Sequence, residues 1–298
     1  NLVHLQFGDE HRMPPHSGLV MNMRKLIPLE TNTKALSEGD PGESVMLAET
    51  EVTVQLQQYG EYARCTDKLD LTHLDMDIMR RTKLFGDAGA RSIDAVVREE
   101  LAKCANVIYA NGKTSRASLT AADKLTSKEL RKAVKALKKN HAQTFGGYYV
   151  AIIGPDTMYD LQEDEAFVKV SQYQDKENIY TGEVGRLFGV RLVETTEAKI
   201  WNNSTCPVKT AAGSGGTPAA TYYSVYSTLF LGKDAFGMID PEGGGLEMIV
   251  KSKEQAGGLL DQFSTLGYKF STATKILYQD RMVRVESLSE YSGTDEAN

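Results

Sequence analysis

Apolar positions along this chain change period several times, and each change marks a different kind of element. Within Glu49 to Tyr62, Val52, Val54 and Leu56 alternate with Thr53, Gln55 and Gln57, the period-two signature of a strand with one buried face. Lys25 to Thr33 is β-compatible as well. Between the two runs lies Ser37-Glu38-Gly39-Asp40-Pro41-Gly42, turn chemistry throughout, so the pattern predicts a long hairpin. Residues 1–22 mix His, Met, Pro14-Pro15 and Gly18 without a sustained period, which predicts an extended arm ordered only by outside contacts.

From Asp75 to about Asn111 the period becomes helical, with Val97, Leu101, Cys104 and Ile108 at i, i+4, i+7 and i+11 behind an acidic start. A helix of that extent would be about 50 Å long at ~1.5 Å per residue. Gly86 and Gly89 fall in its first third, where a bend, a close backbone approach or a break into two helices is expected. A second helix is predicted over Lys128 to Asn140, capped by Ser127, with Leu130, Val134 and Leu137 opposite a basic face. Beyond it, Tyr148 to Ile153 is an apolar run stopped by Gly154-Pro155-Asp156, and a short helix is predicted over Thr157 to Glu163. Val190 to Val193, Ser224 to Leu231, Leu246 to Lys251 and Met282 to Glu286 are the remaining predicted strands. The order describes an α+β body with a strand-rich close. Ala211 to Ala220 and Gly243-Gly244-Gly245 read as loops.

Composition narrows the function classes. The 298 residues suit one large domain or two interleaved ones, and a net charge of −6 argues against an electrostatic nucleic-acid binder. Three cysteines, Cys65, Cys104 and Cys206, contain no close pair for zinc or thiol exchange, which predicts folding in a reducing cytoplasm. No apolar run reaches the roughly 18 residues of a membrane span, and the start carries no signal pattern, so a soluble, non-secreted chain is expected.

Candidate chemistry is sparse. Neither glycine-rich stretch leads into the Gly-Lys-Ser/Thr step of a phosphate loop. Asp67, Asp70, His73, Asp75 and Asp77 have hard-ligand character, but their spacing lacks the turn glycine and closing glutamate of a calcium loop, and acids complementing a helix N-terminus explain them better. No histidine has a serine or cysteine in a nucleophile-like setting. Tyr148-Tyr149 and Tyr222-Tyr223 lack interleaved basic residues and read as packing, not a base-stacking platform. The basic face of Lys128 to Lys139 could touch nucleic acid, but a solvated helix face fits an acidic chain better. No catalytic, cofactor-binding or metal site is expected. What remains is an arm and a hairpin without cores of their own, features of a part that completes itself against neighbours.

Several stretches carry a family resemblance: Leu36-Ser37-Glu38-Gly39, Gln58-Tyr59-Gly60-Glu61-Tyr62, Gly146-Gly147-Tyr148-Tyr149-Val150-Ala151-Ile152-Ile153 with Pro155-Asp156, and Tyr159-Asp160-Leu161. Gly182-Glu183-Val184-Gly185-Arg186-Leu187, with Gly189 to Thr195, is the most specific, and Leu231 to Gly237 and Met282 to Glu286 complete the set. In these the chain resembles the N-four-like family of major capsid proteins of tailed bacteriophages, which have the Hong Kong 97-type capsid fold. Gly154, where the family often has His, and Arg281, where an aromatic is usual, depart from its pattern.

The resemblance implies an N-terminal arm over 1–22, an extended β-hairpin loop over 23–63 and a peripheral domain over 64–125 with its spine helix at 75–111. It implies an axial domain over 126–238, peripheral strands over 239–275, and an axial end and tail over 276–298. The implied function is non-enzymatic, without cofactors. The chain would be a shell subunit that self-assembles as hexamers and pentamers around double-stranded DNA, with portal and scaffolding or decoration proteins as partners, assembled in the host cytoplasm. An encapsulin-like compartment shell and an enzyme of unknown class are the alternatives. One assembly contact is expected from charge. Six acids and no Lys or Arg lie between Ala35 and Ala63, so the tip acids Glu38, Asp40 and Glu43 are expected to meet Arg80, Arg81 and Lys83 at the spine head of a neighbouring subunit. Acids that merely keep an exposed hairpin soluble are the alternative.

Overall fold

The structure, a computed structural model, describes residues 2–29, 31–35, 38–39, 44–66, 78–164, 167, 186–210, 221–252, 254–256 and 262–298. The first half holds β1 (Asp9–Met13), β2 (Val20–Leu26), β3 (Glu49–Gln55), β4 (Gln57–Thr66), α1 (Ile78–Leu101), β5 (Val107–Tyr109), α2 (Ser127–Lys139), β6 (Tyr149–Ile153) and α3 (Pro155–Gln162). The second half is strand-rich: β7 (Arg186–Leu187), β8 (Val190–Glu194), β9 (Ile200–Trp201), β10 (Val208–Thr210), β11 (Thr221–Tyr222) and β12 (Val225–Leu231). It continues with β13 (Phe236–Pro241), β14 (Glu247–Lys251), β15 (Phe263–Ile276) and β16 (Met282–Ser287).

Two sheets organise these elements. A seven-stranded sheet runs β5-β16-β12-β6-β8-β7, with β9 also on β12; a five-stranded one runs β1-β13-β15-β14, with β4 also on β15. The larger sheet is buried on both faces, which is why β6 is a continuous apolar run without alternation and every residue of β12, Ser227 and Thr228 included, is buried. Ala151 and Ile153 point to one face, where Leu130, Val134 and Leu137 of α2 cover them. Val150 and Ile152 point to the other, against Val97 and Leu101 of α1. Leu130 and Leu137 are fully buried, and burial of each such side chain stabilises by about 1.5–3 kcal/mol.

The spine helix is shorter than its periodicity suggests. α1 ends at Leu101 and is about 36 Å long at ~1.5 Å per residue. The i+11 position, Ile108, belongs instead to β5, a β-branched and aromatic run that pairs in parallel with β16. Residues 75–77 lie outside the described residues. The helix is continuous through Gly86, so no break occurs there; at Gly89 a Cβ would stand 2.8 Å from Leu246 Cδ1 and 3.3 Å from the Tyr268 ring, the close approach that the glycine permits.

The hairpin and arm also differ from expectation. β2 starts at Val20, and its partner β3 stops at Gln55. Gln57 to Thr66 forms a separate strand in register with β15, from Thr66 opposite Phe263 to Gln57 opposite Thr272. The arm finds its order within the chain: Val3 and His4 are buried, and β1 pairs in parallel with β13. His4 is held by Asp94 of α1, whose carboxylate accepts the His4 backbone N–H at 2.9 Å and meets Nδ1 at 2.7 Å.

Smaller corrections follow the same logic. Thr126, not Ser127, is the N-cap of α2, and the Ser127 N–H donates to Asp164 Oδ2 at 2.8 Å, so a distant acid does the capping. α3 begins at Pro155, whose fixed φ suits the first helical turn. Gly243 turns with φ +83° in the connection between β13 and β14, while the 211–220 stretch lies outside the described residues. Phe188 and Gly189 both take positive φ in the two-residue β7–β8 connection, as a primed hairpin turn requires.

Candidate functional site

The surface of greatest interest is the β2–β3 ribbon. Its base is fastened to the body: Met23 and Val54 are buried with Met13, Ile239, Ala273 and Leu277, and Met21, Val52 and Leu56 pack around them. Alternation explains this, because Met21, Met23, Val52 and Val54 share the inner face. From Leu26 onward the described apolar side chains of this region are solvated. Leu26, Ile27, Leu29, Val45 and Leu47 are exposed, and Met46 is 90% exposed. Solvated apolar side chains clustered on a two-stranded ribbon mark a contact surface.

Charge on the ribbon is more balanced than a count over residues 35–63 implies. β2 contributes Arg24, 3.8 Å from Glu49 across the strands, and Asn22 Nδ2 donates to Glu51 at 3.3 Å. Of the predicted tip acids, Glu38 is described and exposed, while Asp40 and Glu43 lie outside the described residues. Of the predicted spine-head bases, Lys83 is exposed and Arg81 is half-buried, its guanidinium donating to Cys65 Sγ of β4 at 3.0 Å. Arg80 is helical, and its side chain lies outside the described set.

Signs of catalysis are weak where side chains are described. All three cysteines are free, and burial raises the Cys104 thiol above its ordinary pKa, the opposite of an activated nucleophile. Asp67, Asp70, His73, Asp75 and Asp77 all lie outside the described residues. Another acidic group, missed in the sequence because Glu290 lies far along the chain from the other two, brings Asp160, Glu163 and Glu290 within 4.8 Å of one another. Lys124 Nζ lies 3.2 Å from both Asp160 and Glu290. The tyrosine pairs pack as expected: Tyr149 is buried and donates to Ala142 O at 3.0 Å, and Tyr222 and Tyr223 lie against Val225 and Leu288.

Buried charges brace the body. Glu286 is fully buried and receives Arg116 at 2.7 Å through both Nε and the terminal nitrogen, and Arg284 at 2.9 Å. Arg116 stacks 3.9 Å from the centroid of Trp201. Burial alone would raise Glu99, but Lys199 and Arg98 outweigh it and hold the carboxyl below its ordinary range. No described helix is long and apolar enough to cross a membrane.

Comparison with known proteins agrees with this architecture. The family described as "Phage capsid protein" matches residues 49–270, most of the chain. No curated protein matches. Among solved structures, the capsid of Ralstonia phage GP4 is similar with a TM-score of 0.68 and 14% identity, covering 96% of this chain and 90% of that one. The capsid of cyanophage P-SCSP1u gives a TM-score of 0.65 and 16% identity, covering 95% and 87%. The acid-stable capsid of Helicobacter pylori bacteriophage KHP30 gives 0.65 and 11%, covering 94% and 88%. At such identities the likeness speaks for the fold, which is the Hong Kong 97-type capsid fold, and the family match supplies the rest: the chain belongs to the phage capsid protein family.

Proposed function

We propose that the chain is the major subunit of an icosahedral phage head, joined as hexamers and pentamers around double-stranded DNA. Its role is structural, not catalytic. Assembly in the host cytoplasm, with portal and scaffolding or decoration proteins, completes the proposal. The observation that carries it is the ribbon: a base locked into the body and a distal part whose apolar side chains are exposed among the described residues. Such a surface is stabilised when another copy buries it. The motifs shared with the N-four-like capsid proteins support that branch of the family.

Within this reading, residues 1–22 serve as arm, 23–63 as extended loop, 64–125 with 239–275 as peripheral domain, and 126–238 with 276–298 as axial domain. The two sheets support the division in part: β5 joins the axial sheet from the peripheral segment, while β4 from the loop range and the start of β13 from the axial range join the five-stranded sheet. At the subunit contact, the tip acids Glu38, Asp40 and Glu43 lie over the spine-head bases Arg80, Arg81 and Lys83 of a neighbour. Each exposed pair is weak and salt-screened, but it repeats at every subunit. Reversing the three acids to Lys is expected to block assembly in sedimentation, and reversing the three bases to Glu in the same chain is expected to restore part of it. Normal assembly of the triple reversal, or no rescue, would rule out the contact.

A further inference from the structure

Helix α2 turns Leu130, Ala133, Val134 and Leu137 to the seven-stranded sheet, and its opposite face is basic. Lys128, Arg131, Lys135, Lys138 and Lys139 are exposed, at positions that fall within about 100° of the helix circumference. The first four follow one another at i, i+3, i+7 and i+10, a line about 15 Å long at ~1.5 Å per residue. The helix holds a single acid, Glu129, which is buried and pairs with Lys132 Nζ at 2.9 Å, so it neutralises none of the line. Among the described residues, none of the five exposed cations has a carboxylate within ion-pair distance. Arg131 leans on the β7–β8 turn, its guanidinium 5.3 Å from the centroid of Phe188.

Helix chemistry does not account for this charge. Like charges three and four residues apart oppose helix formation, and a face kept merely soluble ordinarily mixes acids with bases. Lys138 and Lys139 suit the negative end of the helix dipole, but Lys128 stands in the first turn, where a cation is disfavoured. A protein partner fits poorly too. The line has no apolar centre, and lysine is depleted where protein surfaces meet. Unpaired cations spaced along a rigid rod instead match a phosphate backbone, which in duplex DNA presents one charge per ~3.4 Å along each strand. The overall charge of −6 does not oppose such a local contact, because exposed charges more than about 8 Å apart are screened at physiological salt.

We propose that the exposed face of α2 is a DNA-contacting surface, on which Lys128, Arg131, Lys135 and Lys138 bind the phosphate backbone of duplex DNA without regard to base sequence. The assignment rests on the capsid reading, which supplies the duplex, and it orients the subunit: in a closed shell the α2 face lines the interior. Phosphate contacts of this kind hold DNA without selecting any part of it.

Binding of a fluorescein-labelled random duplex of about 30 base pairs to the dilute, unassembled full-length chain would be read by anisotropy from about 50 to about 200 mM salt. Four contacts give a slope of log K against log salt of about −3 to −4, and each single Gln substitution in the line should reduce it by about one. The fourfold variant K128Q/R131Q/K135Q/K138Q should lose most of the slope and bind at least about tenfold more weakly at low salt, with a parental or higher thermal midpoint. Replacing Lys103, Lys209, Lys251 and Lys269 by Gln, four exposed cations elsewhere, changes the net charge equally and should leave slope and affinity near parental. Equal losses in the two sets, or α2-dependent binding of polyglutamate without binding of the duplex, would overturn the proposal. In closed shells, a bulky amine reagent that cannot enter should spare Lys128, Lys135 and Lys138, and their modification would overturn it as well. Sedimentation scores assembly separately. Shells combined with parental duplex binding by the fourfold variant would refute this surface and leave the capsid reading standing, whereas α2-dependent binding by a chain that never forms shells would support the surface and count against the capsid reading alone. Should the fourfold variant fail to fold, Lys128→Gln and Lys135→Gln singly decide the outcome.

Discussion

Glu286 shows what a single buried residue does in this subunit. It sits between two guanidinium groups in the seven-stranded sheet, at full burial, and its loss would leave Arg116 and Arg284 without a counter-charge. Glu286→Ala is expected to cost about 3–5 kcal/mol, the penalty for breaking a buried pair by removing one partner. Trp201, the chain's one tryptophan, lies against Arg116 and reports the unfolding transition by its emission in denaturant. An unchanged midpoint would show that the network does not brace the sheet. Asp123 provides a pH-dependent case. Burial would raise its carboxyl, yet Asn111 at 3.0 Å, the Thr120 N–H at 2.8 Å and the Thr120 hydroxyl at 2.9 Å overcome that and lower it. Its contribution to stability is therefore complete above the ordinary aspartate range and is lost as pH falls through the lowered folded value. Acid denaturation followed by circular dichroism should show a smaller acid-induced loss in Asp123→Asn than in the parent.

Among elements, α1 carries the heaviest structural duty, since it holds His4 of the arm through Asp94 and covers the β6 face through Val97 and Leu101. Leu101→Asp places a charge without a partner at a fully buried position and should cost several kcal/mol, read as a lowered thermal midpoint. A parental midpoint would contradict the packing of α1 on the sheet. The stripe that identifies α1 was legible in the sequence, as were α2, β6, β8, β12 and β16, because local apolar pattern and burial coincide in each; β14 was legible as a β-compatible run although none of its residues is buried. β15 was not. Phe263–Ile276 mixes Gly267, Lys269 and several Ser and Thr with its apolar residues, and one of its partners, β4, lies at the far end of the sequence, with Thr272 opposite Gln57. β1 reads Asp-Glu-His-Arg-Met and carries no strand pattern, so only its pairing with β13 defines it. For the same reason the fastening of residues 289–298 was invisible: it is polar, and its partners are scattered over Lys124, Asp156 and residues 198–226. Of the candidate contact, the acidic tip and basic spine head could be read along the chain, but not the apolar outer ribbon, which local alternation does not distinguish from a buried face.

At the scale of the whole molecule, the subunit is self-sufficient in its two sheets and unfinished along its ribbon. Double substitution of Met46 and Leu47 by Asp alters side chains exposed in the single chain, so its thermal midpoint should stay near the parental one while assembly fails. Size-exclusion chromatography beside a thermal melt checks both halves of that expectation, and parental assembly would exclude the outer ribbon as a contact surface. The central claim is that this chain builds a closed shell from copies of itself. Its most direct test is electron microscopy, with sedimentation, of the full-length chain produced alone. Closed particles bearing five-fold and six-fold capsomers are the predicted result, whereas a monodisperse 32.8 kDa species across a broad concentration range would contradict it.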